Sequence, residues 1–158
     1  MTQISMKTSN KNSKARLRSW LKILKTSNFI EKKIRENFRE EYQTTLPRFD
    51  VMSALYRSKN GLKMNEISDL LKVSNGNITG IIDRLVDDGL VLRVSLKGDR
   101  RSNLINLTNK GKIQFQEYAW SHESWINMIL NKLSGQDAQI LINLLNKISD
   151  KGAINEHD

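Results

Sequence analysis

Cysteine is absent from this 158-residue chain, proline occurs once, at Pro47, and histidine twice, at His122 and His157. Without cysteine there are no disulfides, thiolate nucleophiles, iron–sulfur clusters or cysteine-type zinc sites. Two histidines without a nearby acidic cluster make a metal site unexpected, and no nucleophile–base pair has a recognisable spacing, so no catalytic residue and no enzyme activity are assigned. No apolar run approaches the roughly 18 residues of a membrane span. The first thirty residues also lack the apolar core and small-residue cleavage site of a secretory signal, which makes a cytoplasmic protein the expectation. At 38% hydrophobic and 27% charged residues the composition is that of a globular chain.

Acid is missing in one place above all. Residues 1–30 carry Lys7, Lys11, Lys14, Arg16, Arg18, Lys22 and Lys25 and no Asp or Glu, which places most of the net charge of +9 there. A second basic group, Arg93, Lys97, Arg100, Arg101, Lys110 and Lys112, faces only Asp99. Two basic segments bracket a nearly balanced middle, and polyanions are the natural partners: nucleic acid first, anionic lipid or phosphorylated ligands second. Charge alone is equally compatible with a solubilising surface.

Hydrophobic periodicity divides the chain. Residues 1–12 are polar and aperiodic and read as a disordered basic arm. From Ser13, read as an N-cap, Leu17, Leu21, Leu24, Ile30, Ile34 and Phe38 recur at helical spacings, predicting a helix over 14–43 with a bend near Thr26–Asn28. Its apolar face is longer than a 158-residue monomer readily covers, so 13–46 is read as an N-terminal dimerisation helix. Pro47 opens a second helix through Tyr56, a third starts near Lys63 and buries Met64, Ile67, Leu70 and Leu71, and Ser74 caps a fourth whose inward residues are Ile78, Ile81, Ile82 and Leu85. Residues 90–94 and 103–107 read as a hairpin around the turn at Lys97–Arg100. Thr108 caps a fifth helix running to Ser134, and a sixth covers Gln136–Ile148. The domain reading is 47–111 for a winged helix-turn-helix unit, 112–150 for C-terminal dimerisation helices and 151–158 for a frayed tail. The fold class is mainly α with a small β-hairpin wing, in the order α-α-α-α-β-β-α-α.

Two short helices joined by a tight turn and followed by a basic hairpin are the parts of a winged helix-turn-helix. The helix over 75–88 would lie in the major groove and present Asn75, Asn77, Thr79 and Asp83. Asn can pair bidentately with adenine, and Thr can hydrogen-bond or touch a thymine methyl. Gly76 and Gly80 each cost up to about 1 kcal/mol in a helix relative to Ala, and their missing side chains would admit close backbone approach. Arg84 is placed for phosphate. In the wing, Asp99 can orient Arg101 toward a narrow minor groove; a plain αα-hairpin and a solvated turn salt bridge are the bland counterparts.

These residues resemble the multiple-antibiotic-resistance regulator (MarR) family of bacterial transcription factors across roughly 14–150. The resemblance rests on Val73-Ser74 with Ile78-Thr79, on Asp83-Arg84-Leu85 before Gly89-Leu90-Val91, and on Asp99-Arg100-Arg101 before Leu107-Thr108-Asn109-Lys110-Gly111. It implies a homodimer with interlocking terminal helices and two winged domains on a pseudo-palindromic double-stranded DNA operator. Repression released by a small anionic or aromatic effector is implied too. Carried over, the DNA contacts fall on Ser74 to Arg84 and on Arg101. The stretches 44–50, 61–64 and 73–80 further resemble the subgroup that represses aromatic-acid catabolism and responds to aromatic acyl-coenzyme A thioesters. Trp20, Phe49, Met52, Tyr56, Tyr118 and Trp125 are then candidates for an aromatic slot, and Arg16, Arg18, Lys22 and Lys25 for the coenzyme phosphates; core packing and a solvated helix are the bland readings of the two sets. No cofactor is expected beyond such an effector, an aromatic acid or its CoA thioester. The alternative is a non-specific architectural DNA-binding protein without effector control.

Overall fold

The structure, a computed structural model, describes residues 11–72, 75–95 and 103–149. Helix α1 (Lys11–Tyr42) is followed by α2 (Leu46–Arg57), β1 (Leu62–Lys63), α3 (Met64–Leu71), α4 (Asn75–Asp87), β2 (Val91–Ser95), β3 (Asn103–Leu107), α5 (Asn109–Ile129) and α6 (Gly135–Asn146). Two compact units divide the chain, Met1–His122 and Glu123–Asp158.

In the first unit the three strands form one antiparallel sheet in the order β1-β3-β2, with Leu62 opposite Ile105 and Arg93 opposite Ile105 on the other edge. Its core is built from Ile34 and Phe38 of α1, Val51, Met52 and Leu55 of α2, Ile67 of α3, Ile78, Ile82 and Leu85 of α4, Val91 of β2 and Ile105 of β3. An aromatic cluster adjoins it, in which the Phe38 ring lies 4.9 Å from Phe49 and meets Tyr118 edge-on at 5.9 Å. The half-buried His122 ring packs against Phe49 at 4.9 Å, and burial pushes its pKa down. The Tyr118 hydroxyl is pushed up, chiefly by burial.

Local chemistry sets the boundaries. Thr45 caps α2, accepting from the Arg48 N–H at 3.3 Å, with Pro47 in the first turn. Lys72 takes a left-handed conformation (φ 51°) that ends α3, and Gly89 (φ 74°) does the same after α4. In the second unit, the Ser134 hydroxyl accepts from the Asp137 N–H and the Asp137 carboxylate from the Ser134 N–H, both at 3.1 Å. That reciprocal cap starts α6.

Several expectations are corrected. The arm read over 1–12 is helical from Lys11, so Ser13 lies inside α1 and is not its cap, and α1 runs unbroken through Thr26–Asn28. The helix read to Ser134 stops at Ile129, because Ser134 belongs to the cap of α6. Leu70, read as core, is 62% exposed. The two-residue strand β1 was not anticipated; the observed order is α-α-β-α-α-β-β-α-α. The arm over 1–10, the turn at 73–74, the wing tip at 96–102 and the tail over 151–158 lie outside the described residues.

Candidate nucleic-acid interface

Helix α4 turns Ile78, Ile82 and Leu85 inward with at most 1% of each exposed. That commits its other side to solvent: Gly76, Asn77, Thr79, Gly80, Asp83 and Arg84 are all exposed, and Asn75 is the first helical residue. A Cβ added at Gly76 or at Gly80 would meet nothing within 4 Å. Neither glycine is therefore required by packing inside the chain, although Gly80 in particular weakens the helix.

Asp83 and Arg84 are held by ion pairs. The Asp83 carboxylate accepts from the Arg93 guanidinium on β2, tying the outer side of α4 to the wing strand. Arg84 pairs with Asp88 one turn on, at 3.6 Å. Asp83 thus ties β2 to α4. Ser74, Asp99, Arg100 and Arg101 lie outside the described residues.

The end of α4 is locked to the start of α5. The Thr108 hydroxyl donates to the Gly89 carbonyl at 2.7 Å and accepts from the Gly111 N–H at 2.9 Å, while the Lys110 ammonium donates to the Asp88 carbonyl at 3.0 Å. Gly111 lies against the Leu90 backbone so closely that a Cβ there would overlap the Leu90 carbonyl. The string Thr108-Asn109-Lys110-Gly111 is in this way a clamp on the turn between α4 and β2.

Beside α4 lies a cleft of about 700 Å³, lined by Arg35 and Arg39 of α1, Thr44 to Arg48 at the start of α2, and Gly76, Asn77, Gly80 and Ile81 of α4. Three arginines and two threonines face a mouth shared with the first turns of α4. Arg35 also pairs with Glu31 at 2.8 Å. Near it, burial and the Glu31 carboxylate push Asp50 of α2 up to about 6, against the pull of Arg35.

None of the ten candidate effector residues lines this cleft. Arg16, Arg18, Trp20, Lys22 and Lys25 stand exposed on the first half of α1. Phe49, Met52 and Tyr118 are buried in the core of the first unit. Tyr56 is 43% exposed and its hydroxyl accepts from Gln116 at 3.0 Å, whereas Trp125 is buried and belongs to the second unit. The cleft residues Arg35, Arg39 and Arg48 were missed by the sequence reading; the four-residue spacing of Arg35 and Arg39 beside the buried Ile34 and Phe38 was the available signal.

A three-stranded sheet, a helix pair whose second member has an exposed outer side, and a wing strand tied to that helix define a winged helix-turn-helix protein. Comparison with known proteins agrees. The MarR family model matches residues 44–103. The chain is 30% identical over 117 residues to the uncharacterized HTH-type transcriptional regulator YkoM of Bacillus subtilis, an alignment covering 74% of each chain. It is 26% identical over 105 residues to the HTH-type transcriptional repressor YetL of the same organism, covering 66% of this chain and 63% of YetL. Among solved structures, a MarR family transcriptional regulator from Silicibacter pomeroyi superposes with a TM-score of 0.70 at 28% identity, covering 89% of this chain and 99% of that one. The S. aureus MepR–DNA complex gives a TM-score of 0.69 at 20% identity, over 82% and 94% of the two chains. The chain belongs to the MarR family.

Proposed function

We propose that this protein is a dimeric, sequence-specific DNA-binding transcriptional repressor, released from a pseudo-palindromic operator by a small aromatic or acyl-CoA type effector. The observation that carries the reading is the outer side of α4, where small and hydrogen-bonding residues are exposed and two glycines have no internal packing reason. Such a side suits a helix whose backbone must come close to base edges, with Asn77 and Thr79 as the groups that can read them.

The dimer is supported by apolar side chains left bare in each unit: Leu17, Trp20, Leu21 and Leu24 of α1, and Ile140, Leu141, Leu144 and Leu145 of α6, are all at least 40% exposed. Patches of that kind on a chain of this size mark a protein partner. Effector release is supported by the cleft, whose arginines suit a carboxylate or phosphate and whose wall includes Asn77 and Gly80. An anion seated there and a duplex on α4 would share those two residues. Phe49, Met52, Tyr118 and Trp125 are committed to packing, so the cleft's arginines speak for the ligand's acidic group.

The basic segment over 1–30 favours a second reading, an architectural protein that coats DNA without sequence preference. One experiment separates the two: a fluorescence-anisotropy titration into labelled DNA from upstream of the protein's own gene and into a scrambled duplex of equal length, at about physiological salt. A preference of about a thousandfold or more establishes the regulator. Aromatic acids and their CoA thioesters are then added to the preformed complex, and the effector reading requires that one of them releases it. Equal affinity for both duplexes supports the architectural reading instead.

A further inference from the structure

Lys11, Lys14, Arg18, Lys22 and Lys25 follow one another at intervals of three, four, four and three residues within α1, which places all five side chains on one side of the helix. The row runs about 21 Å along the axis at about 1.5 Å per residue. Every residue from 11 to 29 is exposed. The row is turned away from Ile34 and Phe38, which enter the core further along. Arg16 stands apart from it, on the other side of the helix. Beyond Phe29 the same line carries Lys32, seven residues after Lys25, and then Glu36 and Glu40, so the unbroken run of cations ends where acids join it further along α1.

Helix stability does not account for the row. Lysines in the first turns oppose the helix dipole, no acid stands there to offset them, and like charges three and four residues apart repel one another. Nor is the row a by-product of the reading domain: residues 1–30 hold seven Lys and Arg and no acid, whereas 47–111 hold eleven against seven acids. A polyanion lying along the row would relieve the repulsion.

We infer that the first half of α1 is a second, sequence-independent DNA-binding surface, on which Lys11, Lys14, Arg18, Lys22 and Lys25 contact phosphates of duplex DNA. This rests on the reading of α4 as the DNA-reading helix. A membrane is the other polyanionic surface, and orientation speaks against it: a helix lying on lipid buries its apolar side. Leu17, Trp20 and Leu24 here lie on the side that carries Phe38, so a row in contact with headgroups would leave only Leu21 and Phe29 of the exposed apolar residues of this segment facing the bilayer, too few to bury a helix side. Duplex DNA needs only a line of cations and no insertion.

The test compares the full-length wild type with a variant carrying K11Q, K14Q, R18Q, K22Q and K25Q, using the operator-containing and scrambled duplexes over a salt series. Each phosphate that the variant no longer neutralises should make the slope of log affinity against log salt shallower by about 0.9. The expected result is a change of at least about 1.8, the equivalent of two phosphates, with affinity for both duplexes reduced by the same factor and their ratio kept. A second variant, K11R, K14R, K22R and K25R, keeps the charge and should keep the wild-type slope, which guards against a folding artefact in the first. Parallel slopes for wild type and Gln variant overturn the inference, as does a weakening confined to the operator. Loss of binding to phosphatidylserine vesicles with an unchanged DNA slope also overturns it, in favour of lipid. Wild type that binds neither duplex fails the regulator reading itself, a result distinct from any difference between variants.

Discussion

Gly80 is the residue whose identity separates stability from function most cleanly. It lies in the middle of α4, and a Cβ there would meet only open space. Replacing it with Ala should raise the unfolding free energy by about 0.5–1 kcal/mol through helix propensity alone. The added methyl stands where a duplex would approach, so operator affinity should fall by tenfold or more. Denaturant unfolding and anisotropy on the same variant check both signs; a variant stabilised and still binding at wild-type affinity would take the DNA contact away from this side of α4. Asp50 makes a different demand. Its pKa is raised to about 6 by burial and by Glu31, so the native state holds its proton more tightly than the unfolded chain, whose carboxyl titrates near 3.8. The sign follows from linkage: the native state is penalised as pH rises from about 4 to about 6, and the penalty is complete above that. Asp50→Asn removes it, and should stabilise the protein by about 1–3 kcal/mol at pH 7.5 with little change at pH 4. Urea unfolding of both proteins at the two pH values checks this. The His122 pKa, lowered by burial, works in the opposite direction, favouring the native state as pH rises, and cancels in the comparison.

Between elements, the decisive contact is the one that seats α5 against the turn after α4. The Thr108 N–H donates to the Leu90 carbonyl at 3.0 Å, and Gly111 leaves no room for a side chain beside the same residue. Gly111→Ala must push backbone against backbone, and should cost about 1–3 kcal/mol of stability. A thermal melt shows it as a lowered midpoint; a wild-type melt would mean that the α5 start moves freely against β2. This region was legible in the sequence, because Thr108 caps and Gly89 ends a helix by rules that act within a few residues. The same holds for α4, where three buried positions at helical spacing fixed which residues turn outward. What was not legible depends on distant segments meeting. Strand β1 is two residues long and exists only because Leu62 and Lys63 find Ile105 and Leu104. The Asp83–Arg93 pair and the cleft joining Arg35 and Arg39 to Gly76 and Asn77 likewise need the fold to bring them together. Aromatic residues misled for the opposite reason: Phe49 and Tyr118 have the composition of a ligand slot and the burial of a core.

At the scale of the whole molecule the chain carries helices that it does not cover. Helix α6 has 12 residues and none of them is buried, while Ile140, Leu141, Leu144, Leu145 and Ile148 mark an apolar side. Isolated helices shorter than about 12–15 residues are marginal in water, and most helical stability in proteins comes from packing an amphipathic side. The Ser134–Asp137 cap supplies on the order of 1 kcal/mol, too little to hold such a helix without a covering surface. A second copy of the chain would supply that surface at no cost in new sequence, and an isologous pair would relate two α4 helices by a two-fold axis, as a pseudo-palindromic operator requires. Leu141→Glu with Leu144→Glu places two charges in that contact. The double variant should sediment as a monomer at concentrations where the wild type is a dimer, and should lose most of its operator affinity because one α4 must then bind a half-site alone. Its far-UV circular dichroism should fall by no more than the contribution of α6, since the core around Met52, Ile67 and Ile82 lies within the first unit. A variant that stays dimeric and keeps full affinity would move the interface off α6, leaving the bare apolar side of α1 as the surface to substitute next.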